Sequence, residues 1–483
     1  MASANNYSRY AMAFATIVVS ATLFWFGNGL NPIWPLMWIA PLPVLVFASK
    51  NSSRATAFTA FLAVWLGSLN LWHYLRVLGA PPTAWLVIFT IAALAFMLAV
   101  LLFRALLLRG AAWSALVALP AAWVVYEYLR NITSSGGTAG SFAYSQLSFL
   151  PFLQLASLAG TWGMTFFLLL FSTALAIGWH LRSTSPKKAA KVLIVGVGSV
   201  VLVLVFGMAR LAMPLRASQV RVGLIASDKR RNVYVADPGA STQRLFGDYA
   251  AAAETLTNRG AQVIVMPEKL GTVEGRAITS TDAIFQTLAD KTGATIVAGM
   301  VDLAAPVQYN QARVYAPGRP ISLYDKRHML PPMESKFTPG TTLTVLARPS
   351  GIWGVAICKD MDFSAPSRLY GEAGVGLLLV PGWDFNIDRG WHGHIAIMRG
   401  VESGFSIAHA AKNGYLTVTD NRGRILAQTR SDSEPFATLI ANVPVAHART
   451  LYLLWGDWFA WLSLAILVLV LIKLFRLRTI SDR

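Results

Sequence analysis

The sequence predicts a polytopic α-helical membrane part of about eight spans together with an external α/β domain, and three observations carry that reading. Hydrophobic residues make up 55% of the 483-residue chain and charged residues only 13%, against about 25% charged in an ordinary globular protein. Apolar segments of membrane-crossing length crowd residues 1–213 and recur once at 451–472, and mean hydropathy is +0.51. Residues 214–450 differ from both flanks. They hold 25 Lys+Arg and 20 Asp+Glu, and short β-type runs alternate there with helix-like stretches, the pattern of a layered α/β domain.

The expected spans are 10–29, 33–49, 56–78, 84–103, 111–129, 150–179 and 192–213, with the eighth at 451–472. The first does not read as a cleavable signal peptide, because only Arg9 precedes it and a Trp/Pro-rich segment from Asn31 to Pro43 follows. With the N-terminus inside, the inner loops carry Arg9, Lys50, Arg54, Arg104, Arg109, Arg182, Lys187, Lys188, Lys191, Lys473, Arg476, Arg478 and Arg483, against Arg76 and Arg130 outside. That asymmetry places both termini on the cytoplasmic side and the α/β domain outside. It also accounts for most of the net charge of +18, so the basic balance reflects membrane topology and excludes a nucleic-acid partner as its cause. The expected division is 1–213 for the membrane part, 214–450 for the α/β domain and 451–483 for the last helix with its basic tail. The segment from Glu127 to Ser148, rich in small and aromatic residues, reads either as a flexible linker or as the lining of a lipid-accessible cleft.

Within 214–450, strands are expected at 220–226, 263–266, 295–301, 313–316, 321–324, 353–358, 375–380, 415–419, 425–429 and 438–443. Helices are expected near 240–259, 281–292, 364–373 and 391–408. Asp420-Asn421-Arg422-Gly423-Arg424 has the composition of a tight hairpin turn.

Three places set a charged or nucleophilic residue just beyond an apolar strand. Glu268 ends Val263-Ile264-Val265-Met266-Pro267-Glu268, where proline stops the ladder and leaves the next residue at the sheet's rim. Lys326 opens Lys326-Arg327-His328-Met329-Leu330-Pro331-Pro332-Met333-Glu334, and Cys358, the only cysteine, closes Gly354-Val355-Ala356-Ile357-Cys358. A single cysteine excludes an internal disulfide and a cysteine-rich zinc site. A carboxylate can take a thiol proton and an ammonium can hold an oxyanion, although spacing alone does not bring the three together. His392, His394 and His409 lack an acidic partner at a metal-site spacing such as H-E-x-x-H, so neither metal nor cofactor is expected. Arg399 and Glu402, three apart on one helix, read as an ion pair.

Together these residues resemble the nitrilase, or carbon–nitrogen hydrolase, superfamily, whose Glu-Lys-Cys triad lies on an αββα sandwich. The resemblance assigns Glu268 as base, Lys326 as oxyanion holder and Cys358 as nucleophile, with Glu334 assisting. It extends into the membrane part. Tyr128-Leu129-Arg130, Phe142-Ala143-Tyr144-Ser145-Gln146, Leu153-Gln154-Leu155-Ala156 and Gly160-Thr161-Trp162-Gly163 are similar to bacterial apolipoprotein N-acyltransferases. That likeness implies an enzyme of the bacterial inner membrane, with its catalytic domain in the periplasm. It implies acyl transfer from a phospholipid, through a cysteine thioester, to the amine of a diacylated prolipoprotein, by a monomer that works at the bilayer.

The chain departs from that pattern at three points. Lys359 and Asp360 follow the cysteine where the family has an aromatic residue and glutamate, and Asp360 keeps the charge on a shorter arm. Val380-Pro381-Gly382-Trp383-Asp384-Phe385 follows the family's N-D-x-W-F only loosely, and Leu224-Ile225-Ala226-Ser227 lacks its glutamine. The alternatives are a membrane-tethered amidase with water as acceptor, or a catalytically inactive scaffold.

Overall fold

Among the described residues of the computed structural model, 2–229, 238–303 and 306–481, seven helices are long and apolar enough to cross a membrane. They are Ser8–Gly27, Ser53–Val77, Pro82–Leu108, Ala112–Thr133, Ala156–Leu181, Pro186–Ala212 and Trp458–Leu477. The span expected at 33–49 is the shorter apolar helix Trp34–Ala48, broken into Trp34–Met37 and Leu42–Ala48. Pro35, Pro41 and Pro43 lack the amide hydrogens that a continuous helix would need there. The last long helix begins at Trp458, later than the sequence suggests, because Gly456 takes φ 58° and separates it from the short Leu451–Trp455 helix.

The chain divides into two units, Met1–Ser134 with Thr138–Ala212 and Trp455–Arg483, and Ser135–Gly137 with Met213–Leu454. In the first, residues 141–147 of the segment that reads as a linker or a cleft lining are buried. Phe142–Gln146 is a buried 3₁₀ turn. The buried Glu127 carboxylate accepts from Ser141 Oγ at 2.7 Å, Phe142 N at 2.8 Å, Thr165 Oγ1 at 2.9 Å and Trp123 Nε1 at 3.0 Å. A carboxylate sunk in an apolar bundle needs such a shell of donors, and the turn supplies two of them while Thr165 and Trp123 on the long helices supply the others.

Among its described residues the second unit contains thirteen strands: β1 (Gln219–Ala226), β2 (Val263–Val265), β3 (Thr272–Val273), β4 (Thr295–Asp302), β5 (Tyr309–Tyr315), β6 (Ser322–Asp325), β7 (Thr344–Arg348), β8 (Gly351–Val355), β9 (Leu377–Trp383), β10 (Ser406–Lys412), β11 (Tyr415–Thr419), β12 (Ile425–Arg430) and β13 (Ala437–Pro444). One sheet runs β13-β1-β2-β4-β5-β6, with β3 pairing on β4; the other runs β12-β11-β10-β9-β8-β7. The centre of each is parallel, β1-β2-β4 and β8-β9-β10, and the edges are antiparallel. Strands buried on both faces read as unbroken apolar runs, as β2 and β9 do.

The sheets pack face to face, and helices cover their outer faces. On the first sheet, Leu245, Phe246, Tyr249, Phe285 and Leu288 from helices Ala240–Asn258 and Arg276–Thr292 close over Ile225, Ile264 and Ile296. Helices Ser364–Glu372 and Trp391–Ser403 belong to the second layer. The result is the αββα order of layers.

The helix expected at 391–408 ends at Ser403, because Gly404 adopts φ 81° and stops it in a left-handed cap. Residues 406–412 become β10 instead. Asp420–Arg424 forms the expected turn, with Asp420 Oδ1 accepting from Arg422 N at 2.9 Å and Arg424 N at 3.0 Å.

Candidate active site

Each of the three candidate residues lies past the C-terminal end of a strand, the rim at which α/β sheets bind ligands. Beyond β2, Met266 N still donates to Val297 O at 2.9 Å, Pro267 has no donor to offer, and Glu268 N crosses to the other sheet to reach Gly382 O at 3.2 Å. Gly299 makes this path possible, since a Cβ there would lie 2.6 Å from the Glu268 Cα. Lys326 follows β6 directly, its amide held by Asn310 O at 2.8 Å.

The strand carrying Cys358 stops at Val355, three residues before the thiol. Cys358 instead opens the 3₁₀ turn Cys358–Asp362 with φ 40°, a conformation an L-residue adopts only when its surroundings enforce it. The sharp turn swings the thiol out of the strand's path, and Sγ faces Trp383 O at 3.7 Å.

The three converge. Glu268, Lys326, Glu334 and Cys358 line one cleft of about 600 Å³. Lys326 Nζ lies 2.8 Å from Glu268 Oε1 and 2.8 Å from Glu334 Oε2, so one ammonium bridges two carboxylates. Three supporting groups escaped sequence reading. Asn310 Nδ2 donates to Glu268 Oε1 at 2.5 Å and to Glu334 Oε1 at 2.9 Å. Leu330 N donates to Glu334 Oε2 at 2.9 Å, and Lys269 pairs with Glu334. No short motif marks Asn310, because its relation to Glu268 exists only through the β4–β5 ladder. The Lys269 side chain is legible only as the residue after Glu268.

Burial pushes the Cys358 thiol well above its usual range and Glu268 adds to that, while Lys326 opposes both. The resting thiol is therefore protonated beside a carboxylate that can accept its proton. Burial works against the Lys326 ammonium, but Glu268 and Glu334 outweigh it and raise its pKa well above the usual lysine range. Against the same penalty, Lys326 and Lys269 hold the Glu334 carboxyl at about 2.

Asp360 does not touch the cleft. Its fully buried carboxylate accepts from Ile357 N at 3.1 Å and Tyr324 OH at 2.7 Å on one oxygen. The other accepts from Arg327 N at 3.1 Å and His328 N at 2.9 Å. It thus ties the residue before Cys358 to the residue after Lys326. Lys359 lines the cleft, but its ammonium pairs with Asp362 at 3.0 Å, and Lys326 is the cation that acts on the thiol.

His392 also lines the cleft, 3.2 Å from Asp388 and 3.6 Å from Asp362, and these carboxylates raise its pKa against burial. Asp384, the acid of the loose N-D-x-W-F segment, is pushed up to about 8 by burial and by Asp388. Burial, together with the nearby His392 charge, holds His409 at about 3. Arg399 and Glu402 pair at 2.9 Å in full burial. Leu330, Met333, Phe337, Trp383 and Phe385 give the cleft an apolar wall.

Comparison with known proteins agrees with this architecture in both parts. Residues 20–174 match the apolipoprotein N-acyltransferase N-terminal domain, and residues 235–452 match the carbon–nitrogen hydrolase domain. The apolipoprotein N-acyltransferase of Geobacter metallireducens is 26% identical over 494 residues, covering 93% of this chain and 93% of that protein. That of Gloeobacter violaceus is 26% identical over 495 residues, covering 90% and 89%. The chain belongs to the apolipoprotein N-acyltransferase family. Among solved structures, Saccharomyces cerevisiae Nit3 of the nitrilase superfamily aligns with 48% of this chain and 93% of its own, with 20% identity and a TM-score of 0.42. The membrane helices and the nitrilase-like sandwich are thus the two parts of one bacterial membrane enzyme of the apolipoprotein N-acyltransferase family.

Proposed function

We propose that this chain moves a fatty acyl group from a phospholipid, through a thioester on Cys358, to the α-amine of a diacylglyceryl-cysteine lipoprotein. The observation that carries the reading is the meeting of Glu268, Lys326 and Cys358 on one partly apolar cleft, in a chain whose other unit is built of membrane-length helices.

In the first half-reaction Glu268 takes the thiol proton as Sγ attacks the ester carbonyl. The Lys326 ammonium, with the backbone amide after the cysteine, holds the oxyanion. The carbonyl–oxygen bond breaks, Glu268 returns the proton to the departing alkoxide, and lysophospholipid leaves. In the second half the lipoprotein amine attacks the thioester. Nitrogen–carbon bonding replaces sulfur–carbon bonding, and Glu268 passes the amine's proton to the thiolate. Glu334 and Asn310 keep Lys326 and Glu268 aligned throughout.

Both termini lie in the cytoplasm and the sandwich in the periplasm, a reading supported by the basic residues of the short loops. An even number of crossings then requires Trp34–Ala48 to cross as well. An alkaline-phosphatase fusion after residue 214 is active on this topology, and an inactive one overturns it. The working form in this reading is a monomer, and a single species of one protein chain in detergent by light scattering is expected; a dimer that alone carries the activity overturns it.

The test is incubation of the detergent-solubilised protein with acyl-labelled phospholipid and a diacylated lipopeptide. Label bound through a hydroxylamine-labile link to Cys358, followed by N-acylated peptide, is expected; Cys358→Ala forms neither. Absence of both from the wild type overturns the proposal, and hydrolysis of a small amide in their place favours the amidase reading.

A further inference from the structure

Lys412, the last residue of β10, is fully buried, and among the described residues no carboxylate forms an ion pair with it. A buried ammonium without a counter-ion is costly. Burial and the Lys269 cation pull this amine down to about 7, with Glu268 and Asp228 opposing them. Its contacts are specific. Nζ donates to Lys269 O at 2.8 Å and lies 4.0 Å from the centre of the Trp383 ring.

Those two partners flank the candidate chemistry from opposite sheets. Lys269 is the residue after Glu268, held at φ 51°, and its carbonyl belongs to the turn that sets the carboxylate. Trp383 ends β9, its carbonyl faces the Cys358 thiol, and its ring lines the cleft. In the β9–β10 ladder Lys412 is in register with Trp383, and Asp384 N donates to Lys412 O at 2.9 Å. The lysine therefore reaches from the strand beside the thiol's partner, beneath the Trp383 ring, to the turn of the base.

We infer that Lys412 is a positioning residue that clamps the Glu268 turn against the Trp383 wall and so sets the carboxylate relative to the Cys358 thiol. A lysine suits this task because its ammonium satisfies a carbonyl and an aromatic face at once, which an apolar side chain of the same length does not. A group that served only the fold would more economically be apolar here. The inference rests on the proposed roles of Glu268 and Cys358.

Its test is the rate and pH midpoint of Cys358 alkylation by iodoacetamide in the full-length protein, for wild type and Lys412→Met. Displacing the base turn is expected to slow alkylation about tenfold or more and to shift the midpoint, with thermal stability equal to or above wild type. An alkylation rate within twofold of wild type at an unchanged midpoint overturns the inference, as does a loss of reactivity that only parallels a loss of fold. Should Lys412→Met fail to fold, Lys412→Gln, which keeps a polar tip, carries the same comparison. Phospholipid-dependent thioester formation is measured alongside. Its absence in the wild type overturns the acyl-transfer reading, while the alkylation comparison still decides the role of Lys412.

Discussion

Asp360→Asn tests whether one carboxylate positions together the candidate nucleophile and the lysine proposed to hold the oxyanion. Asparagine is nearly isosteric, so packing is preserved and only the acceptor set changes. Whichever way the amide turns, one oxygen is lost. In the milder orientation the amide nitrogen replaces the oxygen that faces Ile357 N and Tyr324 OH. The tyrosine can rotate its hydroxyl to accept, but the Ile357 amide is left buried and unpaired, which costs about 1–3 kcal/mol. The bonds from Arg327 N and His328 N keep their oxygen but lose its charge, roughly another 1 kcal/mol each. The expected loss is about 4 kcal/mol, which at 2–4 °C per kcal/mol lowers the melting temperature by roughly 8–16 °C. Because Ile357 precedes Cys358 and Arg327 follows Lys326, both flanks of the site loosen, and misplacement of about 1 Å lowers thioester formation by roughly 100-fold. Thermal unfolding in detergent and acyl-enzyme formation with labelled phospholipid measure the two effects. An Asn variant that melts within about 2 °C of wild type and acylates at the wild-type rate refutes this account of Asp360.

Other predictions follow from the same geometry. Holding the Glu334 carboxyl at about 2 rather than near its usual 4.3 stabilises the folded domain by about 3 kcal/mol at neutral pH. Because the folded value is the lower one, that contribution is complete above about pH 4.5 and is lost as the pH falls toward 2. Glu334→Gln should therefore melt below wild type at pH 7, with the gap closing in acid; a constant gap from pH 7 to 3 refutes it. Lys326→Met removes the cation that opposes the rise of the thiol pKa, so the pH midpoint of Cys358 alkylation should move upward and thioester formation fall about 100-fold or more; a downward or absent shift contradicts the assigned role. Gly299→Val forces a side chain against the Glu268 backbone, and acyl transfer should drop at least about tenfold; a variant with wild-type turnover shows that the Glu268 turn tolerates the displacement.

The membrane helices and the α/β alternation were legible because both are periodic properties of local sequence. Glu268, Lys326 and Cys358 were legible for a related reason, each standing where an apolar run meets a polar residue. What sequence could not show was convergence. Asn310 became part of the site through the β4–β5 pairing, and Asp360 through donors more than thirty residues earlier in the chain. The β10 strand was hidden because Gly404 breaks the apolar run that otherwise reads as one helix through residue 408, and Lys412 was hidden with it. The break at 33–49 was visible as three prolines, yet hydropathy averages over them. Lys359, which stands beside the cysteine in sequence, turns out to be committed to Asp362, three residues on in the same 3₁₀ turn.

The order of the strands also bears on when the protein can become active. Glu268 and Lys326 belong to one sheet and Cys358 to the other, and the first sheet is closed at β1 only by β13, the last strand made. Until residue 444 has been made, β1 lacks its antiparallel partner and the first sheet its edge strand. A chain cut short before β13 therefore carries every cleft residue on a sheet whose β1 edge is unpaired. Cys358 alkylation in a chain truncated before β13 is expected to differ from that of the full chain, and an identical rate shows that the two sheets hold the cleft together without their last strand.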